Sequence, residues 1–351
     1  MNKQTNALGL KKPPCLRPGD TVAAVSLSWG GAGDPGLRWR YELGKKRLET
    51  EFGLRVVELP HTLAGSSYVY EHPEVRAREL MDAFRNPEIK GLFSCIGGME
   101  SIRLLPDIDF EVIRENPKVF MGYSDSTVTH LFCLKAGISS FYGPAILAEF
   151  AENVEIFPYT AESVRKTLFC AEPVGKLEPS REWTGQRLEW SEENKDKRKQ
   201  MTPNSGPMFL QGSGTVSGPL LGGCLEVLEM AKGTALWPSE RQFDGAMLFF
   251  ETSEAEAPPW LFEQCMRNYG SQGILQKAAG ILLGRPYQDK YAGEYRALIQ
   301  KVLKELHLEK LPVVSGMDFG HNEPMCVLPY GALTEIDCDA GTVSILESGV
   351  C

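Results

Sequence analysis

A chain of 351 residues, 42% hydrophobic and 24% charged, is long enough for two domains with a core each. Its formal charge of −9 leaves no basic face for a nucleic-acid polymer, and no apolar run reaches the length of a membrane span. The nine cysteines include no C-x-x-C pair and no signal-peptide core opens the chain, so a cytoplasmic protein with reduced, buried thiols (Cys95, Cys133, Cys224) is expected.

In chain order, the turn Pro18-Gly19-Asp20 launches a strand at 21–26, followed by the glycine-bearing loop Ser28 to Gly33. That loop lacks the full dinucleotide fingerprint and reads as a flexible edge of a substrate site. An amphipathic helix at 37–52, a strand at 54–59 and a helix at 73–85 stopped by Asn86-Pro87 come next. A buried strand at 89–96 runs into Gly97-Gly98, and the short strand 119–121 turns at Gly122-Tyr123-Ser124-Asp125-Ser126 into a helix. This alternation implies a parallel, doubly wound α/β sheet whose working loops gather at the carboxyl ends of the strands.

A helix at 161–168 closes an N-terminal domain, placed at 1–165. The connector, 166–207, is polar and weakly periodic and carries Trp183 and Trp190, either anchors or ligand-stacking rings. In the C-terminal domain, 208–351, a tight turn is expected at GSGTVSG, a helix at 220–232, a strand at 246–250, a helix at 260–269, a strand at 279–283, a helix at 291–306, a strand at 311–315 and a hairpin at 331–346.

A serine at a strand-to-helix corner has its hydroxyl beside the unpaired amides of the first helical turn, which is how serine nucleophiles are presented. Ser-Asp-Ser is also an ordinary helix entry, and the last glycine of G-x-S-x-G is replaced by Ser126. A serine needs a base, commonly a histidine oriented by a carboxylate. Of five histidines, only His321 follows a strand and a glycine bend; His130 lies on the helix after Ser124 and faces away from it, His307 sits at a charged helix end, and His61 and His72 lie in polar loops. Glu251 and Glu254 are the carboxylates at a strand end, and Glu251, directly after five apolar residues, is the more costly to bury without a partner. No metal-ligand spacing occurs.

GYSDS at 122–126, IGGMES at 96–101, PLLGGCLEVL at 219–228, LFFETSE at 248–254 and DFGHNEP at 318–324 together resemble the LD-carboxypeptidase family of serine peptidases. The resemblance implies a flavodoxin-like N-terminal domain, a smaller C-terminal α/β domain and a site between them. It further implies Ser124 as nucleophile, Glu251 as orienting acid, His321 as base, the amides of Gly98 and Asp125 as the oxyanion hole, no cofactor or metal, and a homodimer. The variants Gly97-Gly98-Met99-Glu100-Ser101, Glu251-Thr252-Ser253-Glu254 and Glu182-Trp183-Thr184 are similar to the microcin C self-immunity branch rather than the murein-recycling one. Members of that branch cleave the amide between a carboxyl-terminal aspartate and a nucleotide, with a connector tryptophan stacked on the base; Trp183 sits in the better local match. The alternatives are a murein tetrapeptide LD-carboxypeptidase and a non-catalytic nucleotide- or peptide-binding protein.

Overall fold

The structure, a computed structural model, describes residues 4–351. Five parallel strands, β1 (Thr21–Val25), β2 (Arg55–Glu58), β3 (Ile89–Ser94), β4 (Val119–Gly122) and β5 (Phe141–Tyr142), lie in the order 2-1-3-4-5. This is the flavodoxin-like order, in which the chain changes direction between β1 and β3. The short strand Leu328–Pro329 adds to β5 antiparallel at the edge.

Helices cover both faces of this sheet, so neighbouring residues of one strand enter different cores. Val22 and Ala24 pack with Tyr41, Leu48 and Phe52 of α1 (Arg38–Phe52), whereas Ala23 and Val25 pack with Leu80 and Phe84 of α2 (Pro73–Arg85). A strand buried on both sides needs no polar alternation, and its apolar run is continuous for that reason. α2 begins with Pro73 at its first turn and ends at Arg85, where Asn86 turns extended, as its bounding residues predict. β4 is buried throughout and leads through Ser124 into α3 (Thr127–Ala136); α4 (Pro158–Leu168) joins α1 on its face.

The second sheet has eight strands, centred on four parallel ones that follow β6 (Met208–Gln211): β7 (Thr215–Cys224), β8 (Met247–Glu251), β9 (Gly280–Gly284) and β10 (Val313–Met317). β6 flanks β10, while β11 (Leu333–Asp337), β12 (Thr342–Ile345) and Gly175–Lys176 extend the β7 side, all antiparallel. Among the described residues no helix is long and apolar enough to cross a membrane.

The helix expected at 220–232 is a correction: its first five residues are the end of β7, and only Leu225–Ala231 (α5) is helical. The reason is packing. A side chain on Gly222 would place its Cβ 1.7 Å from the Phe249 carbonyl oxygen of β8, so the glycine permits a close strand contact instead of opening a helix.

The two sheets meet along a seam at the carboxyl ends of their strands. The Cys224 amide at the end of β7 donates to Thr127 Oγ1 at the start of α3 (3.1 Å), and the Tyr142 and Phe249 rings meet edge-on at 5.5 Å. The connector docks on the same seam through paired amides and carbonyls of Thr184 and Glu323, at 2.6 and 3.1 Å.

Candidate active site

Ser124 occupies the first position after the β4 corner with φ 61, a left-handed conformation that a β-carbon disfavours. Its amide donates to the Tyr142 hydroxyl (3.1 Å), which fixes the turn from the neighbouring strand β5. The loop after β3 lies against it: a Cβ on Gly97 would fall 2.8 Å from Ser124 Cβ and 3.4 Å from the Asp125 amide nitrogen. Bare backbone is therefore all that fits beside the serine.

Gly98 holds φ 144, and a Cβ there would sit 2.4 Å from Ser28 Oγ, so glycine alone is accommodated. Its loop is tied down by the carboxylate of Asp125, which is fully buried and accepts from Ser28 Oγ (2.5 Å) and the Ser101 amide (2.9 Å). The Glu100 amide also donates to Ser28 Oγ (3.1 Å), and the Trp29 amide to the Gly97 carbonyl (3.1 Å). Ser28 and Trp29 follow β1, so the loops of β1, β3 and β4 are knitted together at the switch point of the sheet.

Glu251 ends β8, 2% exposed, opposite Cys224 in the parallel register. Oε1 accepts from the Tyr142 hydroxyl, and Oε2 accepts from His321 Nδ1 at 2.6 Å. Both carboxylate oxygens are thus occupied, as burial of the charge requires. His321 follows β10 by a short loop, with the Tyr123 ring edge-on at 4.9 Å. The structure brings Ser124, Glu251 and His321 into one place, linked through Tyr142.

On its far side, His321 Nε2 meets Glu254 Oε2 at 3.0 Å, and among the described residues no hydrogen bond joins it to Ser124 Oγ. Burial by itself lowers the imidazole, but Glu251 and then Glu254 outweigh it and hold His321 well above the ordinary histidine value. The bond from His321 in turn pulls Glu254 down to about 2.

The other histidines lie elsewhere. His130 donates from Nε2 to the Gly122 carbonyl (2.9 Å), meets Ser140 Oγ through Nδ1 (2.9 Å) and stacks on Tyr330; burial pushes it down to about 3, so it is neutral. It braces the corner from behind. His61 and His72 flank the Tyr68 ring.

Ser124 and His321 open into a cavity between the two sheets and the connector, whose wall includes Trp29, Gly98, Tyr123 and Trp190. Trp190 has the Arg40 guanidinium 4.6 Å from its ring centre and that of Arg187 at 5.9 Å. Trp183 is outside this wall, with the Arg285 guanidinium 4.5 Å over its ring. Arg187, Glu254, Lys199 and Glu323 add charge to the lining. Lys199 Nζ reaches from the connector to Glu152 Oε2 (2.6 Å) and to Glu323 Oε2. Burial pushes Glu323 up to about 8 although Lys199 pulls the other way, and Glu152 and Glu149 add to the push. Among the described residues no group of His, Cys, Asp and Glu side chains is arranged to hold a metal ion.

Sequence reasoning missed Tyr142, Arg187 and Lys199, whereas Trp29 belongs to the loop at 28–33 expected at the edge of a substrate site. Tyr142 carried a signal: a tyrosine inside an apolar strand has a hydroxyl that must find a partner. Lys199 carried none, because a lysine in a run of mixed charge reads as solvated.

A serine on a strained strand-to-helix corner, near an imidazole held by a carboxylate, is the arrangement of a serine hydrolase on an α/β scaffold. Comparison with known proteins narrows that class. The LD-carboxypeptidase N-terminal domain matches residues 22–143, and the LD-carboxypeptidase C-terminal domain matches residues 217–336. The microcin C7 self-immunity protein MccF of Escherichia coli is 31% identical over 277 residues, 78% of each chain. A Bacillus subtilis protein named "Probable murein peptide carboxypeptidase" is 27% identical over 97% of this chain and 95% of its own length. The structure of MccF in complex with aspartyl sulfamoyl adenosine superposes with a TM-score of 0.85 at 28% identity, covering 97% of this chain and 99% of the other. The chain belongs to the LD-carboxypeptidase family and is a serine-type carboxypeptidase.

Proposed function

We propose that Ser124 is the nucleophile, His321 its base and Glu251 the orienting carboxylate, in an amidase that separates a carboxyl-terminal aspartate from a nucleotide. The observation that carries this reading is the hydrogen-bonded line from the Ser124 amide through Tyr142 and Glu251 to His321, ending in a cavity walled by Trp190. The solved structure of MccF with aspartyl sulfamoyl adenosine supports the substrate class.

In the working state His321 Nε2 takes the Ser124 proton as Oγ bonds to the scissile carbonyl carbon. The amides of Gly98 and Asp125 hold the oxyanion, at about 3–4 kcal/mol per donor where such donors have been removed elsewhere. The tetrahedral centre collapses, the C–N bond breaks, and the imidazolium returns its proton to the leaving nitrogen. Water then gives a proton to His321 and adds to the acyl carbon, and His321 passes that proton to Ser124 Oγ as the ester bond breaks and the aspartate carboxylate is released. A base on the nucleotide stacks on a connector tryptophan, worth about 1–3 kcal/mol. Trp190 is the ring the cavity presents. The same reading expects a cytoplasmic homodimer, in keeping with nine free cysteines.

The second reading, a murein tetrapeptide carboxypeptidase, is favoured by the Bacillus subtilis relative, which aligns over nearly the whole chain. Hydrolysis of an aspartyl-nucleotide amide and of a murein tetrapeptide, followed side by side, separates the two. Cleavage of the first is expected, with Ser124→Ala lowering kcat by at least about a thousandfold. Release of D-alanine from the tetrapeptide alone would overturn the substrate, and an unchanged rate in Ser124→Ala would overturn the nucleophile.

A further inference from the structure

If His321 is the base, the resting site as it stands cannot use it. Nδ1 donates to Glu251 and Nε2 faces Glu254 at 3.0 Å, so both ring nitrogens serve carboxylates and neither is free to accept from Ser124. Glu254 is not a fixed part of the framework. Its side chain is 48% exposed, against 0% for Glu251 and 7% for His321. It belongs to the loop after β8, which is anchored just before it, where the amide and hydroxyl of Ser253 both donate to Glu226 Oε1 at 2.9 and 2.8 Å. The residue before Glu254 is thus fixed, while its own carboxylate is open to solvent.

A second cation lines the same cavity: Arg187 of the connector, whose guanidinium lies 5.9 Å from the centre of the Trp190 ring. The titratable groups around the pair are Glu251 and Tyr123 against His321, Glu149 at the Tyr123 hydroxyl, and Lys199 and Glu323 on the same cavity wall.

We propose that Glu254 is a two-position carboxylate, which holds His321 away from Ser124 in the resting enzyme and passes to Arg187 when a planar group occupies Trp190. This rests on the assignment of His321 as base and adds a positioning residue to it. A ring stacked on Trp190 takes the face that Arg187 shares, and the freed guanidinium becomes the partner of Glu254. The imidazole, left with Glu251 alone, loses its second anion, gives up a proton more readily and turns Nε2 to the serine. Substrate binding and activation of the base are thereby coupled through one carboxylate.

The test is the pH dependence of Ser124 labelling by a fluorophosphonate, beside an NMR titration of the His321 ring, in the parent chain, Glu254→Gln and Arg187→Met. Glu254→Gln is expected to lower the His321 midpoint by about one pH unit, giving roughly tenfold faster labelling on the acid side. Arg187→Met is expected to move the midpoint upward more in the substrate-analogue-bound enzyme than in the free enzyme. With AMP as the analogue, an unshifted midpoint in Glu254→Gln, or equal shifts in free and AMP-bound Arg187→Met, overturns the proposal. Absence of labelling at Ser124 in the parent overturns the nucleophile assignment instead, and the NMR titration still decides whether Glu254 controls the ring.

Discussion

Tyr142 is the residue on which the site's geometry hangs, since one hydroxyl accepts from the Ser124 amide and donates to Glu251. A hydrogen bond to a charged group is worth about 1.5–3 kcal/mol, so Tyr142→Phe should cost about tenfold to a hundredfold in kcat with KM little changed. The sign of the accompanying pH effect follows from the partners. Without the tyrosine donor, Glu251 draws more strongly on His321, the imidazolium is favoured, and the acid limb of kcat/KM moves to higher pH. Rates measured across pH on an aspartyl-nucleotide check both parts; an unmoved limb would leave Tyr142 a mere packing residue. At this scale much was legible beforehand. That Ser124, Glu251 and His321 meet could be expected from a serine at a corner, a charge after five apolar residues and a histidine after a glycine bend. Glu254 stands beside Glu251 as a candidate at the same strand end, but that both carboxylates meet one imidazole could not be read, because the sequence offers them as alternatives for a single role.

At the scale of elements, β7 shows where pattern reading gives way. PLLGGCLEVL offers apolar residues at both strand and helix spacing, and the glycine pair reads as a helix opening. What decides is the approach of Phe249, which no local pattern encodes. Gly222→Ala should therefore destabilise by about 3 kcal/mol or more, the upper part of the range for overpacking, because a Cβ would overlap a backbone oxygen that cannot move alone. The entropic gain of Gly→Ala, about 0.4–1 kcal/mol, is too small to offset this. Gly293, in α6 (Ala292–Glu305), has nothing within 4 Å of the position a β-carbon would take, and Gly293→Ala should stabilise by about that gain. Urea midpoints of the two variants should move in opposite directions. Elements bounded by strong stop signals, such as α2, were legible to the residue, whereas the tryptophans of the connector were not: the segment has no period from which to tell that Trp190 faces the cavity and Trp183 lies under Arg285.

At the scale of the molecule, the connector is fastened by Lys199, a cation set between Glu152 and Glu323. Lys199→Met leaves buried carboxylates without their counter-charge, and breaking such a pair costs about 3–5 kcal/mol. Because Glu323 is pushed up to about 8 by its burial, that loss should be smaller below about pH 8, where Glu323 is protonated, and largest above it. Thermal unfolding at pH 6 and pH 9 tests the sign, and faster proteolysis within 184–200 reports the released strap. A fall in stability equal at both pH values would assign Lys199 a packing role only.

Of the proposed triad, Ser124 follows a strand of one sheet, whereas Glu251 ends and His321 follows a strand of the other. Each half can therefore be perfectly folded and still inert. Competence is a property of their joint alone, so a small slip between two intact bodies is enough to extinguish turnover, and any molecule that wedges or clamps that joint has leverage over the enzyme without touching a reacting atom.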